Sequence, residues 1–252
     1  METTEKQLLN LFKRLDATPD GTPVTKSILI LSTPRSGSSL YCDVLSSLNL
    51  IGECTEWFNM RYISAYAELK GLKNVDFQEY FNFIKRKTSG DTGVFAVNAH
   101  IEQYLSLINN KLNIMQLGFN CVVYLSRNNK IAQAVSLTKA QITDKWSASS
   151  KAKHPLPGTP PLTKIANSLS HIVASHEYYV ENLKSSCDFE YCYEEFSDLS
   201  NKEFFIEPLN KLGVKITGSI DLKTDQRIQS DKKSDVWKTE FTDLIGHTQH
   251  LL

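Results

Sequence analysis

The stretch Ser27–Leu40, SILILSTPRSGSSL, decides the fold. It opens as an apolar β-type run, Ile28-Leu29-Ile30-Leu31. It then passes through Thr33-Pro34-Arg35-Ser36-Gly37-Ser38-Ser39 and enters an apolar-periodic segment at Leu40. Strand, small-residue loop and helix start is the layout of a phosphate-binding loop. Backbone N–H groups of such a loop converge on an anion, and the helix adds its positive N-terminal end. The plain alternative is a serine-rich turn that only caps a helix. Arg35, followed by four small residues, favours the anion. A nucleoside triphosphatase would show GxxxxGK[ST]; here no Lys follows Gly37, and an Arg precedes it. A guanidinium is always charged and grips an oxyanion with two parallel bonds. The loop therefore reads as built for a phosphate-like group without a metal.

A chain of 252 residues, 41% apolar, is long enough to bury the core of one α/β domain. We expect a single domain over 1–252, with an N-terminal helix and linker over 1–26. A zero formal charge gives no general attraction to nucleic acid or to an anionic membrane surface. Cys42, Cys54, Cys121, Cys187 and Cys192 are scattered, odd in number and without metal-ligand spacing. They read as reduced thiols of a cytoplasmic protein. No apolar run reaches membrane-spanning length, and no secretory signal pattern opens the chain.

Leu8, Leu9, Phe12 and Leu15 fall on one helical face, for packing on the domain or for a dimer contact. Residues 40–48 read as a helix, residues 59–89 and 101–115 as mostly helical, and 163–183 as a long helix. Further strands are expected at Gly93–Val97, Cys121–Leu125 and Asp188–Tyr193. Pro208 should kink or split a helix over 200–212. A last helix should start at Ser234, capped by Ser or Asp. Residues 147–161, SASSKAKHPLPGTPP, read as a mobile loop and a candidate substrate lid.

The candidate chemistry gathers at strand ends. Glu53 and Glu56 lie three apart beside Trp57 and Phe58, on the way back to the carboxyl edge of a parallel sheet, where ligands sit. An aromatic setting can raise a carboxyl pKa and suit it to general base work; solvated loop residues are the alternative. His100 near a strand end is an active-site group or a structural histidine. Arg127 at a strand tip and Ser136 on the next helix form a candidate second phosphate clamp. The tail over 226–237, QRIQSDKKSDVW, offers Lys232 and Lys233 to an anionic nucleotide, and Trp237 to a base or to the core.

With these segments in hand, the chain resembles the sulfotransferases, and most the bacterial trehalose sulfotransferase family. The resemblance rests on STPRSGSSL, GECTEWF, RNNKIAQAVS with KAQITDKW, and QSDKKSDVW, over roughly residues 27–245. Tyr193-Glu194-Glu195-Phe196 also resembles a Tyr-Glu-Asp-Leu type segment of the wider group. The resemblance implies a P-loop-type three-layer α/β fold, with a central, mainly parallel sheet flanked by helices. It implies the donor 3′-phosphoadenosine-5′-phosphosulfate (PAPS) as co-substrate, with no metal. Thr33, Pro34, Arg35, Ser36, Gly37, Ser38 and Ser39 would hold its phosphosulfate end. Arg127 and Ser136 would hold its 3′-phosphate, and Lys232, Lys233 and Trp237 would cover the nucleotide. Glu56 would be the base, with Arg35 stabilising the transferred group and Glu53 and His100 contacting the acceptor. The expected acceptor is a carbohydrate or glycolipid hydroxyl, and the family suggests a homodimer. Asn98 stands where relatives often carry Lys, and Ile228 where they often carry Arg. The rival readings are a non-catalytic 3′-phosphoadenosine nucleotide-binding protein and a kinase-like phosphotransferase.

Overall fold

The structure is a computed structural model that describes residues 2–146, 151–216, 220–224 and 231–249. Four apolar runs form β1 (Lys26–Ser32), β2 (Val94–His100), β3 (Cys121–Ser126) and β4 (Phe189–Cys192), one parallel sheet in the order β2-β1-β3-β4. Both faces are covered, which is why the strands read as continuous apolar runs rather than alternating ones. Side chains still alternate between faces. Leu29, Leu31, Phe95, Val97, Val122 and Tyr124 enter one core with α1 (Glu2–Ala17), α3 (Met60–Lys70), α4 (Phe77–Thr88) and α5 (Ile101–Asn109). Ile28, Ile30, Ala96, Val123 and Leu125 enter a second core with α2 (Ser38–Ser47), the short α8 (Tyr193–Phe196) and α9 (Glu203–Lys211). A third cluster joins α6 (Lys130–Thr143), α7 (Leu162–Asn182) and α10 (Lys232–Gln249). The result is the α/β arrangement that the resemblance implies, a central parallel sheet flanked by helices.

The N-terminal helix packs on this body through the buried Phe12 and Leu15. All five cysteines are free thiols. Among the described residues no helix is long and apolar enough to cross a membrane.

Two expectations are corrected. Pro208 does not split its segment into two: α9 runs unbroken from Glu203 to Lys211. Proline lacks the N–H that would bond the carbonyl four residues back, and the Phe204 carbonyl instead accepts the buried Tyr41 hydroxyl at 2.6 Å. The last helix begins at Lys232, two residues before the expected Ser234, because the Asp231 carboxylate accepts the Ser234 N–H at 2.9 Å.

Sheet order fixes where a ligand would sit. After β1 the chain adds β2 on one side and β3 on the other, so the loops leaving β1 and β3 part at a switch point. Open α/β sheets bind ligands in that crevice. Beyond β2, residues 52–55 run along the sheet edge, with Gly52 N–H bonded to Val94 O at 3.0 Å and Asn98 N–H to Thr55 O at 2.9 Å. A Cβ at Gly52 would fall 1.5 Å from the Thr88 carbonyl oxygen, so only glycine passes there. This edge segment delivers Glu56 to the carboxyl end of β2.

Candidate active site

The loop after β1 is held in a strained form. Arg35 has φ +63° and Gly37 has φ +88°. A Cβ on Gly37 would lie 2.4 Å from the Tyr193 ring. Buried Gln133 of α6 pins the loop from behind, its Nε2 donating to Thr33 Oγ1 at 2.8 Å and to Pro34 O at 2.7 Å. Thr33, Ser36 and Ser38 are buried, whereas Ser39 is exposed.

Two guanidinium groups meet in front of this loop. Arg35 Nε donates to Ser136 Oγ at 3.0 Å and Nη1 to Trp146 O at 2.8 Å. Arg127 Nη1 donates to Arg35 O at 3.4 Å, and its guanidinium lies 4.6 Å over the Tyr193 ring, a cation–π contact. Burial, and then the like charge of Arg127, lower the Arg35 pKa. The nearest carboxylate to Arg127 is Glu194, at the long distance of 3.9 Å. Glu194 is occupied elsewhere, accepting the N–H groups of Asn128 and Asn129 and so shaping the turn after β3. Buried Arg127 Nε and Ser36 Oγ have no hydrogen-bond partner among the described residues. Unpaired buried donors are costly and rare; here they stand beside two cations, as an anion site requires.

On the other side of the cleft, Glu56 sits among donors. His100 Nε2 is 3.2 Å from its Oε1, while Gln103 Nε2 at 2.7 Å and Asn59 Nδ2 at 3.1 Å donate to its Oε2. Each donor is itself fixed. Gln103 Oε1 accepts the His100 N–H, and Asn59 Oδ1 accepts the Arg61 N–H as the cap of α3. Burial alone would raise the Glu56 pKa. The His100 charge and these hydrogen bonds overcome it and hold the carboxyl at about 2. Burial likewise pushes His100 down, but the Glu56 carboxylate overrides it and raises the imidazole above its ordinary value.

One cleft of about 1830 Å³ joins the two halves. It is lined by Pro34, Arg35, Gly37, Ser38 and Ser39 from the loop, by Arg127 and Ser136, by Glu56 and His100, and by Lys233. These expected residues are brought together. Glu53, Lys232 and Trp237 do not line it, nor do the fully buried Thr33 and Ser36. Glu53 is exposed, and its backbone N–H is tied to Thr88 O. Lys232 is exposed. Trp237 is fully buried in the cluster of α6, α7 and α10, the plainer of its two expected roles. The tail segment 226–230, Ile228 included, and residues 147–150 of the expected lid lie outside the described residues. Of the remaining lid, Lys151 to Leu156 line the cleft.

Several lining or supporting residues were given no role from sequence, although Lys139 and Trp146 bound KAQITDKW, one of the segments that carry the resemblance. Lys139 donates to Asp231 and to Ser234, both at 2.7 Å, tying α6 to the start of α10. Trp146 presents an exposed ring at the cleft, held by a 2.8 Å bond from its Nε1 to Asp144. Gln103 and Gln133 carried no signal, because a lone Gln in a helix is ordinary. Trp146 had one, a solitary Trp at the end of a helical pattern.

A comparison with curated proteins returns no match. A sequence model described as Stf0 sulphotransferase matches residues 27–243, from the first residues of β1 into α10. That span includes the loop after β1, both guanidinium groups and the Glu56–His100 pair, and by it the chain belongs to the Stf0 sulphotransferase family.

Proposed function

We propose that this protein transfers the sulfuryl group of PAPS to a hydroxyl of a carbohydrate or glycolipid acceptor. One observation carries the reading: an anion loop with two guanidinium groups shares a cleft with an ionised carboxylate–imidazole pair. The unpartnered Nε of Arg127, a residue of the cleft wall, fits a polyanionic donor. When bound, PAPS supplies an activated sulfuryl group on a phosphate leaving group.

The loop N–H groups, Ser36 and Arg35 would hold the phosphosulfate end, and Arg127 with Ser136 the 3′-phosphate. Lys233 would approach the nucleotide from α10. Arg35 and the loop offset charge that develops on the sulfuryl and leaving oxygens. Such prearranged donors, with in-line positioning, provide most of the acceleration in transfers of this type. Glu56 takes the acceptor proton. Trp146 offers an exposed aromatic face to a sugar ring at the acceptor end, and Lys151 to Leu156 border that end as part of a lid.

Thermal-shift measurement with 3′-phosphoadenosine-5′-phosphate, then labelled sulfate transfer onto a panel of saccharides and glycolipids, tests the reading. Stabilisation by the nucleotide together with transfer is the expected result. No shift at saturating nucleotide overturns the reading, and a shift without transfer favours a binding protein. Glu56→Gln should lower turnover about 100- to 10,000-fold with donor binding kept, the usual loss for a general base.

A further inference from the structure

We propose that the base of this site is the Glu56–His100 pair acting together, and that Ser32 and Asn98 are positioning residues that keep a proton on the far ring nitrogen of His100. The proposal rests on the sulfuryl-transfer reading above. Ser32 is the last residue of β1 and lies level with His100 across the β1–β2 ladder. Ser32 is fully buried and Asn98 is 2% exposed. The Ser32 hydroxyl donates to Asn98 Oδ1 at 2.8 Å and sits 2.9 Å from His100 Nδ1.

A serine hydroxyl has one hydrogen and two lone pairs. With that hydrogen given to Asn98, Ser32 offers His100 only a lone pair, so Nδ1 must carry a proton. The ring then exchanges protons through Nε2 alone, and Nε2 faces Glu56 Oε1 at 3.2 Å. Glu56 Oε2 is already engaged by Gln103 and Asn59, which leaves Oε1 as the oxygen through which a proton passes. The contact a histidine makes at one nitrogen sets the chemistry at the other. Asn98 thus has a role here that a Lys could not fill, because a Lys has no acceptor for the Ser32 hydroxyl.

The active form of the pair has Glu56 ionised and His100 neutral with its proton on Nδ1. The acceptor O–H bond breaks, and its proton passes through Glu56 Oε1 to the Nε2 lone pair. The acceptor oxygen forms the new bond to sulfur. The bond from sulfur to the phosphate oxygen breaks, and its electron pair leaves with the bisphosphate. The pair is left as carboxylate and imidazolium and returns its proton to water. The low pKa of the Glu56 carboxyl belongs to the pair with His100 charged; with the ring neutral that charge is gone, so the carboxylate can take the proton and hand it to the imidazole. Other groups also act on this ionisation. Glu102 of α5 faces His100 and is itself 3.4 Å from His171 of α7, while Arg35 and Tyr62 face Glu56.

Nitrogen-15 NMR of the imidazoles in the full-length protein, with pH–rate profiles of transfer, tests this. The His100 spectrum should show Nδ1 protonated at every pH and Nε2 titrating. Turnover should rise with pH through the same ionisation. Ser32→Ala should give mixed tautomers, displace the pH profile, and lower kcat about 10- to 100-fold, the loss typical for partners behind a functional imidazole. Its KM for the donor should stay unchanged, and Ser32→Thr, which keeps the hydroxyl, should restore the profile. A neutral His100 with its proton on Nε2, or a Ser32→Ala profile coincident with wild type, overturns the proposal. If Ser32→Ala does not fold, the wild-type spectrum alone decides. That spectrum needs no acceptor, so an absence of transfer counts against the sulfuryl-transfer reading and leaves the tautomer assignment to its own result.

Discussion

Gly37 is the residue at which the loop tolerates least change. Its φ of +88° is a region L side chains avoid, and Tyr193 fills the space a Cβ would need. Gly37→Ala must therefore shift the loop or the ring, and the ring is the one under Arg127. We expect a stability loss of about 1–3 kcal/mol, read as a lower melting temperature, with weaker nucleotide binding by calorimetry. Unchanged affinity would show that the loop backbone does not hold the donor. Glu56 and His100 set a second expectation. The Glu56 carboxyl falls on folding from 4.5 to about 2, so its contribution is present above pH 4.5 and is lost as pH falls toward 2. His100 rises on folding, so its contribution is complete below its ordinary 6.5 and is lost as pH climbs through the folded value. The two windows overlap between those ordinary values. Denaturant titrations should find wild type exceeding Glu56→Gln by most at about pH 5.5, by of order 1 kcal/mol for a carboxylate still partly screened by water. A difference that grows steadily above pH 7 would contradict the pairing.

At the scale of elements, apolar runs betrayed all four strands, and the order strand, loop, helix is found at Lys26–Ser47. Periodicity also carried most helices. The split expected at Pro208 does not occur, and the Tyr41 hydroxyl that satisfies the freed carbonyl comes from 163 positions away, beyond the reach of a local rule. Choosing between Glu53 and Glu56 was likewise a long-range matter. Spacing of three does not say which carboxylate turns inward. The pairing of Thr55 beside Val97 does, since it carries Glu56 past the end of β2 toward His100. Trp237 fits either a base or a core by sequence, and only the packing of α10 on α6 and α7 decides for the core. Gln133 was invisible because its partners lie about a hundred residues upstream. Its amide is the tie between α6 and the loop, and breaking such a tie leaves buried acceptors unpaired, at about 1–3 kcal/mol each. Gln133→Leu should thus weaken binding of 3′-phosphoadenosine-5′-phosphate by about tenfold or more, measured by calorimetry. Wild-type affinity in a folded variant would show that the loop keeps its form unaided.

For the whole molecule, the zero net charge hides an uneven distribution. Among the described residues, nine Lys and Arg side chains line the cleft against four Asp and Glu. Balancing acids must therefore lie elsewhere on the surface. A cleft of one sign between low-dielectric walls concentrates field and draws an ion of the opposite sign, and dissolved salt screens that field. A neutral protein of this kind should not bind polyanions in general, yet should bind an anion that fits the cleft with marked salt dependence. Raising ionic strength from about 0.05 M to about 0.5 M shortens the screening length several-fold. Affinity for 3′-phosphoadenosine-5′-phosphate should fall at least about tenfold over that range. Lys233→Gln, at the cleft wall, should flatten the dependence. Arg86→Gln, exposed on α4 and paired with Asp20 far from the loop, should leave it unaltered. Equal slopes for all three proteins would mean that bulk screening, and not the cleft's own cations, governs nucleotide capture.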